Sequence, residues 1–255
     1  MKGFCETLVL NKYEYWVEEP NVDKYTVQIE NLRKVYRVGD EKVVALDSIS
    51  LNVRPGEICC ILGTSGSGKS TLLNLIAGLE KPTRGTIRIN GNHIEKMNER
   101  QLALFRQRFI GFVFQSYNLL PTLTALENVC LPLTFRGVKK QVREKEAARM
   151  LAAVGLKNHL NHRPTQMSGG QQQMVGIARA FVCKPKLMLA DEPTGNLDSK
   201  TTREIKELIL ELARENGQTL IIVSHDADVA SIADRTVHIL DGKIEKIEEK
   251  SISEV

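Results

Sequence analysis

Residues 58–70 read Ile-Cys-Cys-Ile-Leu-Gly-Thr-Ser-Gly-Ser-Gly-Lys-Ser, a short apolar run followed by a loop of small residues. From Gly63 to Ser70 the loop matches G-x-x-x-x-G-K-[ST] at every fixed position. The run before it has the length and composition of a buried strand, and residues 70–79 have the spacing of an amphipathic helix. The stretch predicts a strand, a phosphate-binding loop and a helix in succession, which indicates an α/β fold.

The loop has the chemistry of a nucleotide site. Small residues let successive backbone N–H groups curl around a phosphate at a helix N-terminus, where the helix dipole favours negative charge. Lys69 is then expected to reach the β- and γ-phosphates, and the Ser70 hydroxyl to become a ligand of Mg²⁺. The alternative is a Gly/Ser-rich turn that matches by chance. We predict that ATP and Mg²⁺ are held by the loop and the residue after it: Gly63, Thr64, Ser65, Gly66, Ser67, Gly68, Lys69, Ser70 and Thr71.

Strand and helix patterns alternate along much of the chain, which is typical of a parallel, doubly wound sheet. A long helical region interrupts the alternation from about residue 116 to residue 180, and predicts an inserted helical lobe. The predicted strands cover residues 26–29, 43–53, 58–62, 86–89, 110–114, 187–190 and 219–223; the predicted helices include 70–79, 139–155 and the stretch from Ile205 to Leu212.

Two acids, Asp191 and Glu192, directly follow the apolar run 187–190. Acids at the end of a buried strand are costly to desolvate unless a cation or water faces them, and ligands bind at that edge of a doubly wound sheet. We assign Asp191 to Mg²⁺, directly or through water, and Glu192 to the attacking water as general base. The alternative is a strand that ends in a polar turn. His225 follows another apolar strand, and we favour a γ-phosphate contact for it over a structural hydrogen bond.

Composition excludes several classes of function. The net charge of +4 is small for 255 residues and no Lys/Arg block dominates, so a nucleic-acid partner is not expected. The five cysteines have no CxxC spacing, which indicates reduced thiols rather than disulfides or a zinc site. No stretch approaches the roughly 18 to 20 apolar residues of a membrane span. The chain is expected to be soluble or at most peripheral.

Residues 167–173, Met-Ser-Gly-Gly-Gln-Gln-Gln, lie about twenty residues before Asp191 and resemble the signature motif of ABC-transporter ATPases. The resemblance covers about residues 26–247, with the family's other motifs in order. They are Tyr36 (similar to the A-loop aromatic that stacks on adenine), Gln115 (the Q-loop glutamine), Asp198 (the D-loop aspartate) and His225 (the H-loop histidine).

This resemblance implies a P-loop NTPase core with a mostly parallel sheet, an antiparallel β subdomain and an inserted α-helical lobe. It also implies a head-to-tail dimer that clamps each ATP between two chains. One chain would supply Lys69, Ser70, Gln115, Asp191, Glu192 and His225, and the other would supply Ser168, Gly170 and Asp198. The catalytic residues would be Glu192, His225, Gln115 and Lys69. The ligands of Mg²⁺ would be Ser70, Gln115 and Asp191.

The stretches 117–121, 123–129 and 191–198 are similar to one branch of the family, which holds macrolide exporters, lipoprotein-release ATPases, antimicrobial-peptide resistance exporters and the cell-division ATPase. A generic importer ATPase is the alternative. The branch implies a membrane permease partner that docks beside 117–121 and holds the chain at the cytoplasmic side of the plasma (inner) membrane. We expect export or extrusion of a hydrophobic or peptide-like substrate, which the permease selects.

Two other functions stay open. The first is a regulatory ATPase that signals through a membrane partner without moving cargo. The second is a soluble ABC ATPase of DNA repair or translation, disfavoured because the sequence has no coiled-coil insertion, zinc cysteines or second cassette.

Three departures from the family pattern concern the signature helix. Met167 stands where Leu is usual, Met174 where Arg is usual and Gly176 where Ala is common. A glycine inside a helix costs about 1 kcal/mol against alanine. Outside the ATPase domain (26–247, with the lobe at about 116–180) the sequence predicts an N-terminal extension, 1–25, and a tail, 248–255. The aromatics of the extension either dock on the body or a partner, or belong to a disordered leader.

Overall fold

The computed structural model describes residues 24–195 and 197–250, so the predicted extension, apart from Lys24 and Tyr25, lies outside the described residues. The strands in this part are β1 (Val27–Val38), β2 (Glu41–Val53), β3 (Ile58–Leu62), β4 (Arg84–Ile89), β5 (Asn92–His93), β6 (Ile110–Val113), β7 (Leu187–Asp191), β8 (Thr219–Ser224), β9 (Arg235–Leu240) and β10 (Lys243–Glu249). The helices are α1 (Lys69–Ile76), α2 (Glu99–Phe109), α3 (Ala125–Phe135), α4 (Lys140–Ala153), α5 (Gly169–Phe181), α6 (Ser199–Glu215) and α7 (Ala227–Ile232).

The larger sheet has the strand order β10-β9-β3-β8-β7-β6. All neighbours pair in parallel except β10, which is antiparallel to β9. Strands β3, β8 and β7 are therefore side by side, and the residues after them meet at one edge. The predicted mostly parallel sheet is confirmed.

The smaller sheet has the order β2-β1-β4-β5 and is antiparallel at each pair. It is the predicted antiparallel subdomain. Strand β1 runs to Val38, well beyond the predicted 26–29. The pairing of β1 with β2 explains the difference, because Tyr36 and Val38 are partners of Val43 and Glu41 although β-bulges interrupt the alternation.

Two hydrophobic clusters cover the two faces of the parallel sheet. On β3, Ile58 and Cys60 belong to the cluster beneath the lobe, whereas Cys59 and Ile61 belong to the cluster shared with α1 and the antiparallel sheet. This alternation follows from the two-residue period of a strand. Because both faces are buried, the strands are continuously apolar and polar site residues occur only where the strands end.

The inserted lobe consists of α3 and α4 packed on α5. The predicted helix 139–155 is α4, and Gly155 follows it with a φ of +80°. The predicted helix 70–79 is α1, which ends earlier because Gly78 takes a φ of +62°. None of the described helices is both long and apolar enough to cross a membrane.

The departures in the signature helix have a structural context. The Met174 side chain packs on the cluster beneath the lobe, so an apolar side chain fits that position. A β-carbon at Gly176 would lie 3.6 Å from the Tyr117 carbonyl oxygen and 3.8 Å from the Gln173 side-chain oxygen, which are ordinary van der Waals distances. The backbone at Gly176 is helical, so a methyl group can be added there without strain.

Gly176→Ala is therefore expected to raise the free energy of unfolding by about 1 kcal/mol, because alanine loses less backbone entropy on entering a helix. Urea denaturation of both chains measures the difference. Gly111→Ala is the contrast, since a β-carbon there would lie 2.5 Å from the Met188 sulfur and 2.6 Å from the Ala180 carbonyl oxygen. It should lower stability, and a loss of stability in Gly176→Ala would show that α5 needs glycine.

Candidate functional site

The candidate site lies where β3, β8 and β7 end. The loop 63–68 follows β3, His225 follows β8, and Asp191 is the last residue of β7, with Glu192 directly after it. Since β8 lies between β3 and β7, the histidine is between the loop and the acids. The strand order thus brings together three groups from distant parts of the chain. The first and the last of them, the loop and His225, are more than a hundred residues apart in sequence.

The loop's shape depends on glycine. Gly68 is the residue before α1 and has a φ of +98°, and a β-carbon there would lie 2.5 Å from the Ala45 carbonyl oxygen. Gly66 also has a positive φ, +80°. A β-carbon at Gly63 would collide with the carbonyl oxygen of Ile239, at the end of β9. A side chain at Gly63 or Gly68 would therefore collide with backbone atoms, and a side chain at Gly66 would strain the backbone.

The turn between β9 and β10 supports the loop from behind. The Gly242 N–H donates to the Ser67 carbonyl (3.1 Å), and the Asp47 N–H donates to the Gly242 carbonyl (2.8 Å). The loop is thus tied both to the parallel sheet and to β2. This turn was not predicted to be part of the site.

Lys69 is buried at the start of α1, with only 4% of its side chain exposed. Its Nζ donates to the Thr64 carbonyl (2.8 Å) and lies 3.9 Å from Glu192 Oε1. The ammonium group therefore lies between the loop backbone at Thr64 and the Glu192 carboxylate. In this position it faces the space that the loop's backbone encloses.

Ser70 and Asp191 are in direct contact, since the Ser70 hydroxyl donates to Asp191 Oδ1 (2.9 Å). Burial raises the pKa of the Asp191 carboxyl; the hydrogen bond from Ser70 opposes the increase, and the charge of Glu192 adds to it. A cation beside Asp191 would favour the ionised carboxylate. A hydroxyl and a carboxylate are also oxygen ligands of the kind that Mg²⁺ takes.

Glu192 is at the centre of the site. Its Oε1 is the oxygen nearest Lys69, and its Oε2 lies 3.5 Å from Nδ1 of His225, whose side chain is 66% exposed. The backbone of Glu192 has a φ of +40°, which a non-glycine residue seldom adopts. Its N–H donates to the Val223 carbonyl on β8 (3.1 Å), which holds the residue in that conformation.

The loop fits a triphosphate with Mg²⁺. No side chain caps α1 and no acid lies in its first turn, so its N–H groups are available for an anion. The Ser67 hydroxyl is buried without a hydrogen-bond partner in the described residues. Donors on the loop, an ammonium group inside it and an acid beside Ser70 together match a phosphate chain and its cation. When bound, Mg²⁺ would neutralise charge on the phosphates.

Gln115 lies two residues after the end of β6, beside the turn that follows Glu192. A β-carbon at Gly195 would lie 2.8 Å from the Gln115 amide nitrogen, so the glutamine packs on the turn after Glu192. The structure thus places Gln115 beside the turn that follows Glu192.

Ser168 and Gly170 lie at the start of α5 and are not brought to the loop of the same chain. The Ser168 hydroxyl caps α5 by accepting from the Gln171 N–H (3.3 Å), and Gly170 packs on Thr201 of α6. Asp198 is exposed and its Oδ1 accepts from the Thr201 N–H (3.1 Å). Ser168, like Asp198, is exposed.

Gln173, wholly buried in α5, is a residue that the sequence analysis did not single out for a role. Its amide donates to the carbonyl of Phe114 (3.3 Å), just before Gln115, and to the carbonyl of Pro193 (2.6 Å), just after Glu192. One side chain therefore fixes the loops that carry Gln115 and Glu192 to the same helix.

Arg179, two turns along α5, holds the next part of the chain. Its guanidinium donates to the carbonyls of Asn118 (2.5 Å) and Tyr117 (2.9 Å). Both residues have left-handed backbones, with φ of +49° and +58°. These bonds offset part of the strain of the turn.

An open groove of about 340 Å³ lies beside this turn. It is lined by residues 116–119 and Pro121 on one side and by Pro164, Thr165 and Gln172 on the other. Leu120, adjacent to the groove, leaves 48% of its side chain exposed. Helix α5 connects the groove to the candidate site. Its Arg179 holds the turn beside the groove, and its Gln173 holds the loops that carry Gln115 and Glu192.

The family model of the ABC transporter matches residues 46–195. The lipoprotein-releasing system ATP-binding protein LolD of Geobacter metallireducens is 46% identical over 218 residues, which are 86% of this chain and 97% of that protein. The macrolide export ATP-binding/permease protein MacB of Rhodopirellula baltica is 47% identical over 220 residues, which are 86% of this chain and 32% of that protein.

A solved structure of the ATP-binding cassette MJ0796, from Methanocaldococcus jannaschii, has the same fold with a TM-score of 0.83 and 44% identity. The match covers 88% of this chain and 98% of that one. That cassette was solved as a dimer in a post-hydrolysis state with ADP and Pi bound.

Proposed function

The chain belongs to the ABC transporter family as an ATP-binding subunit that hydrolyses ATP, and on that basis we propose how its residues act. Lys69 and the loop 63–68 bind the phosphates, Ser70 and Asp191 hold Mg²⁺ with Gln115, and Glu192 activates water. His225 contacts the γ-phosphate, and Tyr36 stacks on adenine. The observation that carries this assignment is the position of Glu192 between Lys69 and His225, with Asp191 on Ser70.

The proposed active form is a head-to-tail dimer. Ser168 and Gly170 lie at the start of α5 and Asp198 lies just before α6, and in the proposed dimer they complete the ATP site of the second copy. Phosphoryl transfer depends chiefly on positioning and charge neutralisation. Because a second chain completes the site, closure of the dimer is coupled to ATP binding. The dimer of the MJ0796 cassette supports this arrangement.

The proposed partner is an integral membrane permease that docks in the groove beside 117–121. The groove is bordered by the turn that Arg179 holds, and that turn follows Gln115 directly. In the MacB relative, ATP-binding and permease parts share one polypeptide, and this chain matches 32% of it. The permease would hold the ATPase at the cytoplasmic side of the plasma (inner) membrane. We propose ATPase domain boundaries at 26 and 247, with the lobe at about 116–180.

The proposed role of the complex is export or extrusion of a hydrophobic or peptide-like substrate. Relatives named for macrolide export and lipoprotein release support it. A regulatory ATPase that moves no cargo is the second candidate, because the same groove and the same ATP cycle would serve it. A captured permease with a large extracytoplasmic domain would favour export.

Leu120→Asp is expected to reduce recovery of the permease with the tagged chain from solubilised membranes by at least about tenfold, because a charge replaces an apolar contact at the docking site. Mass spectrometry identifies the proteins recovered with the chain, and the permease is recognised among them by the membrane spans in its sequence. Val142→Asp is the matched control, since Val142 on α4 is also 48% exposed. Both variants should keep the ATPase activity of the free chain. Equal recovery with both would contradict docking beside 117–121.

A further inference from the structure

Two charged residues fix the Tyr36 side chain, and neither of them was predicted to have a role. Its hydroxyl donates to Glu80 Oε2 (2.7 Å), although the two residues are 44 positions apart. Lys34, on the same strand, pairs with the same oxygen (3.0 Å), and its ammonium lies over the Tyr36 ring, 4.9 Å from the centroid. The ring is therefore held at its tip by a carboxylate and covered on one face by a cation.

The other carboxylate oxygen joins this group to the phosphate end of the site. Glu80 Oε1 accepts from the amide of Asn74 (3.3 Å), which lies on α1. The same helix begins at Lys69, so Glu80 connects the Tyr36 ring to the element that presents the phosphate loop. Lys34 also donates to the Lys81 carbonyl (2.9 Å), which fixes the chain next to Glu80.

The ionisation of these groups agrees with their geometry. Burial, followed by the hydrogen bond to Glu80, raises the pKa of Tyr36. Burial alone would raise the pKa of Glu80, but hydrogen bonds from Tyr36 and Lys34 lower it overall. Glu80 is thus a carboxylate and Tyr36 a neutral phenol that donates to it. The Lys34 and Glu80 side chains are only 14% and 29% exposed, so solvent screens their pairing incompletely.

We infer that Glu80 and Lys34 are positioning residues for the adenine base, which hold the Tyr36 ring at a set distance from the phosphate loop. The inference rests on the proposed role of Tyr36 in stacking on adenine. With Lys34 over one face, the base stacks on the opposite face. A ring that is already ordered loses less rotamer entropy when the base binds. The base end and the phosphate end of the nucleotide are then both fixed relative to α1.

The test compares ADP with inorganic pyrophosphate, each with Mg²⁺, by calorimetry on the full chain. Both ligands use the phosphate loop, but only ADP uses the ring. Tyr36→Phe and Glu80→Ala should each weaken ADP binding about three- to tenfold and leave pyrophosphate affinity unchanged. Glu80→Gln, which keeps an acceptor oxygen for the phenol, should recover part of the loss. Glu248→Ala is the control, because Glu248 pairs with Lys246 and His238 on β10 and β9.

A double substitution separates positioning from a general effect on the fold. In a Tyr36→Ala chain, Glu80→Ala should cause no further loss of ADP affinity, since the ring that it positions is absent. If Tyr36→Ala weakens ADP but Tyr36→Phe and Glu80→Ala do not, the inference is wrong and the stacking role stands. Equal losses for ADP and pyrophosphate in Glu80→Ala would also overturn it. If Tyr36→Ala itself leaves the ratio of the two affinities unchanged, the proposed stacking role fails as well.

Discussion

Glu192→Gln is expected to lower ATP turnover by about 10²- to 10⁴-fold, the usual contribution of a general base, while ATP binding is preserved. The amide has nearly the same shape as the carboxylate, so the contacts with Lys69 and His225 can be kept in weakened form. It cannot accept a proton from water. Phosphate release measures turnover, and calorimetry measures ATP affinity. Glu211→Gln, an exposed position on α6, is the control and should behave like the unchanged chain.

The same variant tests the dimer, because ATP that is bound but not hydrolysed should keep the two chains together. Light scattering should then give twice the mass of one chain when ATP and Mg²⁺ are present. Adding Ser168→Arg should abolish the dimer without abolishing ATP binding, since Ser168 is exposed at the start of α5 and is proposed to contact the nucleotide of the second chain. Asn161→Arg, at another exposed position of the lobe, should leave the dimer intact. Near-normal hydrolysis by Glu192→Gln would remove Glu192 from the role of base.

The parts of the site that could be predicted from sequence are those encoded by neighbouring residues. The loop 63–70 requires glycines, a lysine and a serine at fixed spacing, because backbone amides and one ammonium group must face the same phosphates. The acids after β7 are conspicuous because they end an apolar strand. In each case the chemistry and the local fold lie in one short stretch, so the residues indicate both.

Other contacts join residues that no local pattern relates. Tyr36 and Glu80 are 44 positions apart, and Gln173 bonds to backbone carbonyls on two different loops. Backbone carbonyls carry no residue identity, so a sequence cannot reveal them as acceptors. The three consecutive glutamines resembled a signature motif, and only the fold shows that the third is buried and binds both loops.

Two elements that were not predicted do have a recognisable local sequence pattern. The β9–β10 hairpin was not predicted, yet Asp241-Gly242 is a dipeptide typical of tight hairpins, and both residues have positive φ, +45° and +73°. Helix α2 was not predicted either, although Asn98 and Gln101 form a capping box at its start. Turn dipeptides and helix caps therefore predict elements that apolar periodicity alone leaves out.

Lys69→Ala is expected to weaken ATP binding by at least about 10²-fold, because each charge-assisted hydrogen bond to phosphate contributes about 1.5 to 3 kcal/mol. Competition against a labelled nucleotide measures the loss. Lys140→Ala removes an exposed lysine of α4 and should leave the affinity unchanged, which controls for net charge. Unchanged ATP affinity in Lys69→Ala would contradict the assignment of the phosphate loop.

The stability of the same variant distinguishes function from folding. An ammonium group that is 4% exposed is costly to desolvate, and its contacts with Thr64 and Glu192 offset that cost only in part. Lys69→Ala should therefore unfold in urea with a free energy within about 1 kcal/mol of the unchanged chain, or higher. A lysine retained for folding would give the opposite result, lower stability with the same ATP affinity. Loss of affinity without loss of stability identifies Lys69 as a residue kept for the phosphates.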